Sequence, residues 1–306
     1  MTANYSYADD ASGPGRLFTL RNDRDMAVTI SERGAALMSW WAPDRYGRLA
    51  DVVLGDPDCV PEHGHVADLA SERFSTLRRM APAAWRGFMD GRCVSLRQMA
   101  THGAADGFTV EVHYRLDDEG RLSIDHVVSA PEESTLELGS TPRFNLNGGR
   151  GDVGDHMLQI DADYYLKIDR AGLPLGLAPV GGTAFDFRKP AAIGPRLGWP
   201  DVQIGLAGGF DHCYRLGEHA DRGPGLLRAV AQVYDPRSGR RLQVATTEVG
   251  LCLCIGSTAE SAQGTGFRLQ PCSHPEQLGV GQAAAVILGP RRVFRRTTVY
   301  QLSLQP

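Results

Sequence analysis

The sequence predicts an all-β fold, a large antiparallel super-β-sandwich, and three observations carry that expectation. Short apolar runs alternate with polar residues at every second position, the period of a strand with one buried face. Gly, Pro, Asp and Asn separate those runs, and 36 glycines and 18 prolines spread over 306 residues leave little room for long helices. No internal repeat or linker composition divides the chain. Residues 17–306 are therefore read as one domain behind a flexible lead-in of residues 1–16, whose Tyr5–Gly15 run is polar and small. Single β-sandwich domains reach about 250 residues and sometimes more.

The elements follow in order. Phe108–Leu116 alternates, Asp117–Gly120 is a turn, and Arg121–Val128 alternates again, which reads as a β-hairpin. Leu226–Tyr234 and Arg240–Thr246 form a second, joined by Asp235-Pro-Arg-Ser-Gly239. There Pro presets φ and Gly supplies the left-handed position a reversal needs. Thr297–Ser303 is the last alternating run. The best helical candidate is Val66–Met80, where apolar residues recur near helical spacing, interrupted by Ser75 and Thr76.

Composition narrows the partners. A hydrophobic fraction of 42% with 22% charged residues suits a globular protein. A net charge of −4, with scattered arginines and only Lys167 and Lys189 as lysines, gives no basic footprint for nucleic acid or a membrane surface. No run approaches the ~20 apolar residues of a membrane helix. Met1–Arg16 lacks the apolar core of a secretion signal, so a cytoplasmic location is expected. Cys59, Cys93, Cys213, Cys252, Cys254 and Cys272 form no C-x-x-C pair and no zinc-ligand spacing. They are read as buried free thiols, with no metal or organic cofactor. On a strand, Cys252 and Cys254 face the same side.

Collinear blocks carry a resemblance. They include Phe18-Thr-Leu-Arg-Asn22, Asp51-Val-Val-Leu-Gly55, Phe144-Asn-Leu146 and Asp155-His-Met-Leu-Gln-Ile-Asp-Ala-Asp-Tyr164. Gly182-Thr-Ala-Phe-Asp-Phe-Arg-Lys-Pro190, Gly209-Phe-Asp-His212, Thr246-Thr-Glu248 and Arg296-Thr-Thr-Val-Tyr300 follow. Together they resemble the aldose 1-epimerase (galactose mutarotase-like) family over residues 17–303. The resemblance implies a sandwich with a sugar-sized cleft on one sheet, a small sugar or sugar-like ligand as partner, and acid–base chemistry. Mutarotation takes a proton from the anomeric hydroxyl and gives one to the ring oxygen, so it needs a base and an acid within hydrogen-bond reach.

The resemblance also locates departures. The family's acid histidine falls on Thr141, which supplies no proton near neutral pH, and its base glutamate on Gln270, which hydrogen-bonds without accepting the proton. The family's positioning aspartate is retained as Asp211. The stretch between Gly55 and Thr101, where a positioning arginine and histidine belong, matches no family motif. Asp211 reads as a sugar-hydroxyl acceptor or a strand-end cap. His212 points to the opposite face on a regular strand, or else joins the ligand. His274 is a replacement acid or base, or a surface histidine. Arg143 clamps a carboxylate or phosphate, or pairs on the sheet. His156 and Glu248 read as structural hydrogen-bonders. Three functions stay open: an isomerase using His274, Asp211 and Arg143, a non-catalytic sugar-binding protein, and an enzyme acting on a more apolar substrate, suggested by Leu251–Ile255.

Overall fold

The computed structural model describes residues 15–54, 85–98, 109–129, 134–137, 142–172, 174–217, 225–256, 266–273, 285–288 and 293–305. The helical candidate Val66–Met80, most of the lead-in, Thr141 and His274 lie outside them. The described chain starts with β1 (Leu17–Arg21), β2 (Ala27–Ser31), β3 (Ala36–Pro43), β4 (Leu49–Asp51), β5 (Trp85–Asp90) and β6 (Cys93–Gln98). Next come β7 (Thr109–Leu116), β8 (Arg121–Ser129), β9 (Ser134–Glu137), β10 (Met157–Ile160), β11 (Tyr164–Ile168), β12 (Pro174–Pro179) and β13 (Ala191–Ala192). Two short helices, α1 (Ile193–Leu197) and α2 (Val202–Ala207), precede β14 (Gly209–Arg215). The remaining strands are β15 (Arg228–Tyr234), β16 (Arg240–Thr246), β17 (Gly250–Gly256), β18 (Arg268–Cys272), β19 (Ala285–Leu288) and β20 (Val293–Leu304).

Every strand pairing among the described residues is antiparallel. The nine-stranded sheet runs β13-β10-β15-β16-β20-β8-β7-β6-β5 and forms one layer. Facing it are the sheets β1-β2-β3-β4 and β12-β11-β14-β17-β18. Isolated bridges Val53↔Phe144 and Phe144↔Phe267 join the β4 end of the first to the β18 end of the second. Between the layers lies one contiguous core, in which Trp40, Tyr114, Phe144, Phe185, Phe210, Tyr214 and Phe267 are sealed from solvent. Two tyrosine hydroxyls buried in it find partners across the layers, which offsets the cost of burying them. The Tyr114 hydroxyl donates to Ala35 O (2.7 Å) and the Tyr300 hydroxyl to Leu269 O (3.1 Å).

Both expected hairpins form, with Leu116 opposite Leu122 and Tyr234 opposite Arg241. The strand that carries Asp211 is aimed by α2. Asp201 caps that helix by accepting the Gln203 N–H (2.9 Å), and Gly208 ends it at φ 66°, the left-handed conformation that turns the chain into β14.

The thiol expectation is corrected here. Cys213 and Cys252 oppose each other on β14 and β17 and are joined by a disulfide, while Cys93 and Cys254 are thiols. Sequence spacing missed the bond because it joins residues 39 apart that only strand register brings together.

Candidate active site on the outer face of the five-stranded sheet

Alternation decides which side chains of β14, β17 and β18 leave the core. Phe210, His212 and Tyr214, with Leu251, Leu253, Ile255 and Leu269, point inward and are buried. Asp211, Cys252, Cys254, Arg268 and Gln270 therefore share the opposite, outer face. Register sets them in rows. Asp211 is opposite Cys254, which is opposite Arg268. The Phe144↔Phe267 bridge places Arg143 opposite Arg268 in the same sense, so the row reads Arg143, Arg268, Cys254, Asp211. All four are partly open to solvent. The next row is Gln270, Cys252, Cys213, each buried.

Backbone space keeps Arg143 in its row. A Cβ on Gly266 would stand 2.5 Å from Arg143 Cγ and 2.7 Å from Leu54 Cδ1, so the bare glycine lets the arginine stem lie across the chain. The electrostatics follow from the row. Burial pushes the Asp211 carboxyl up to about 6, against the pull of the Arg268 guanidinium and a hydrogen bond with the Cys254 side chain. Burial and the neighbouring Asp211 carboxylate raise the Cys254 thiol, while Arg268 and Arg143 oppose that rise. A carboxyl poised near neutrality can take up and return a proton, and the two guanidiniums further along the row can hold an anion.

The other sequence candidates separate from this row. His212 sits inside, its ring edge-on to Phe185 (4.6 Å) and Tyr165 (6.0 Å), with Nδ1 accepting the Asp211 N–H (3.2 Å). Desolvation pushes its pKa down to about 4, and it does not reach the Asp211 side of the sheet. His156 is buried against Phe267, with Nε2 accepting the Leu146 N–H (3.1 Å). Glu248 is buried and accepts the Ser273 hydroxyl (2.7 Å). Leu251, Leu253 and Ile255 line the core, so the face that β17 offers outward is thiol rather than leucine. That corrects the apolar-floor expectation. Arg268 went unnoticed in the sequence, although the two-residue step from Gln270 places both on one face.

Comparison with known proteins fits this architecture. The Aldose 1-epimerase family profile matches residues 89–301, well over half of the chain. The chain belongs to the aldose 1-epimerase family. It is 29% identical over 283 aligned residues to the aldose 1-epimerase of Escherichia coli (strain K12), covering 80% of this chain and 79% of that protein. It is 28% identical over 341 aligned residues to the galactose mutarotase of Rattus norvegicus, covering 96% of each. Among solved structures, galactose 1-epimerase from Lactobacillus acidophilus NCFM superposes with a TM-score of 0.76 at 22% identity over the whole of both chains. An aldose epimerase homologue from C. elegans gives 0.73 at 19% identity, covering 95% of this chain and 99% of that one. For this family member the two structures establish the fold, a mostly antiparallel β architecture of the galactose mutarotase type.

Proposed function

We propose that this chain binds an aldose-type sugar on the outer face of the five-stranded sheet and interconverts its anomers, with Asp211 as the proton-transferring group. One observation carries the reading: Asp211 is a partly open carboxyl held near pKa 6 in a row with Arg268 and Arg143. A base of that strength is ionised at neutral pH yet still returns its proton readily. Asp211 takes the anomeric hydroxyl proton as the ring C–O bond opens, and His274 is the candidate donor to the ring oxygen. After rotation of the freed carbonyl, the same transfers in reverse close the other anomer. Arg143 and Arg268 favour a sugar that carries a carboxylate or phosphate, since two guanidiniums outweigh one carboxylate in the row.

Polarimetry or NMR line exchange on uronic acids, sugar phosphates and neutral aldoses tests the reading. Arg143→Ala or Arg268→Ala should weaken the response to acidic sugars about tenfold or more while leaving neutral sugars little changed. Equal loss for both classes would remove the anion-binding role. Gln270 favours a second reading, a sugar-binding protein without turnover. It is buried in the floor, at the position where the family's base falls by resemblance, and an amide cannot take the proton. Ligand-induced rise in Tm with anomer exchange at the buffer rate would select that reading.

A further inference from the structure

Between Asp211 and Arg268 stands Cys254, a side chain that the proton transfers above do not use. It is opposite Asp211 on β14 and opposite Arg268 on β18, so it meets both at the separation of directly paired residues, about 5 Å between Cβ atoms. Asp211 and Arg268 themselves are two strands apart, about 10 Å. The thiol hydrogen-bonds with the Asp211 carboxyl, whereas Arg268 acts on that carboxyl through charge alone. Burial raises the thiol and keeps it protonated near neutral pH, so it is the donor and a carboxylate oxygen the acceptor. A guanidinium in the same seat would form a charge-assisted pair and hold the carboxyl ionised far below neutrality, where it takes up protons poorly. Among the described residues the other neighbours of Asp211 add no charge to it. Cys213 and Cys252, in the next row, are tied in the disulfide. The helix α2 contributes Val202–Ala207, none of them ionisable, and its cap Asp201 acts on His212 instead. Strand β11 pairs with β14 at Tyr164 and Tyr165, opposite Arg215 and Tyr214 at the far end of the strand.

We propose that Cys254 is a positioning residue for the proton transfer, its thiol donating to the Asp211 carboxylate from the seat that separates Asp211 from Arg268. This deepens the function proposed above and rests on Asp211 being its proton-transferring group. The thiol occupies one carboxylate oxygen and leaves the second for the anomeric hydroxyl. Arg268 and Arg143, kept on the far side of the thiol, stay available to an anionic group of the ligand instead of pairing with Asp211.

Two variants separate donation from occupancy of the seat. Cys254→Val fills it without a donor, so the titration midpoint of Asp211 should rise by about half a pH unit. Cys254→Ser brings a stronger donor, so the midpoint should fall by about as much. Carbon-13 NMR of the side-chain carboxyls in the full chain reads both, with the Asp211 signal assigned by its loss in Asp211→Asn. Reciprocally, Asp211→Asn removes the charge beside the thiol. Iodoacetamide at pH 8 should then alkylate Cys254 about threefold faster than in wild type or more, read by mass spectrometry. Midpoints that stay in place, or that move the same way in both variants, overturn the proposal, and so does an unchanged alkylation rate. Circular dichroism identifies a variant that has not folded, and the alkylation rates then decide. The acid limb of kcat/KM for anomer exchange should follow the midpoints. Midpoints that diverge while that limb stays fixed uphold the contact between Cys254 and Asp211 and overturn the role of Asp211 in turnover.

Discussion

In the function proposed above a single carboxyl sets the chemistry, and the same carboxyl opposes stability. Asp211 is pushed up to about 6 from the usual 3.8 of an aspartate by burial, so its charged form is held at a cost that Arg268 and Cys254 only partly offset. The sign follows from linkage: the folded state binds the proton more tightly than the unfolded one, so stability falls as pH rises from about 4 through about 6. Asp211→Asn keeps the shape and removes the charge. It should raise Tm at pH 7.5 while changing it little at pH 4, and it should cut anomer exchange by about 10²-fold or more. A scan at the two pH values together with polarimetry checks both halves. A Tm that falls equally at both pH values would mean that the carboxylate is held by favourable contacts rather than by a functional demand.

At the scale of elements, turn chemistry and alternation leave testable marks. The β7–β8 turn is closed by Asp117, whose Oδ1 accepts the N–H groups of Glu119 (3.0 Å) and Arg121 (2.9 Å). Gly120 adopts φ 75°, and a Cβ there would stand 2.5 Å from Leu302 O on β20. Gly120→Ala should therefore cost about 1–3 kcal/mol from the left-handed backbone and the displaced carbonyl, read as a lower urea midpoint with unchanged slope. This hairpin was legible in the sequence because both its signals are local, a period of two and an Asp-to-Gly turn. The face assignments of Asp211 and His212 were legible for the same reason. The register that sets Arg143 beside Arg268, and Cys213 beside Cys252, was not. It arises from pairings between segments more than a hundred residues apart in the first case and 39 apart in the second, and no local pattern encodes it. The short helices α1 and α2 also escaped, since five and six residues hold too few turns to show a helical period.

For the whole molecule, closing two layers over one core strands His156 and His212 in its interior and sets half-buried His126 opposite Arg296. Burial pushes His156 and His212 down to about 4 and holds His126 well below its usual 6.5. Each stays neutral when folded but takes up a proton when unfolded. Their contribution is thus fully present above pH 6.5 and is lost as pH falls toward 4. The fall from 6.5 to about 4 is worth roughly 3 kcal/mol for each of His156 and His212. Asp211 and Asp51, both raised by burial, have the opposite sign, but two carboxyls face three histidines, so the net effect is acid destabilisation. Urea midpoints measured from pH 7.5 to pH 4.5 should fall steadily, at roughly 1.4 kcal/mol per pH unit for each net proton taken up on unfolding. A flat profile would mean that these rings are protonated in the fold. That outcome would contradict the position of His212, which is packed edge-on to Phe185 and Tyr165 and whose Nδ1 accepts a backbone N–H. The same closure that keeps these rings neutral leaves the Asp211 row on the open side of the sheet. The pH dependence of stability therefore reports mainly on the core histidines, and that of the proposed anomer exchange on the outer face.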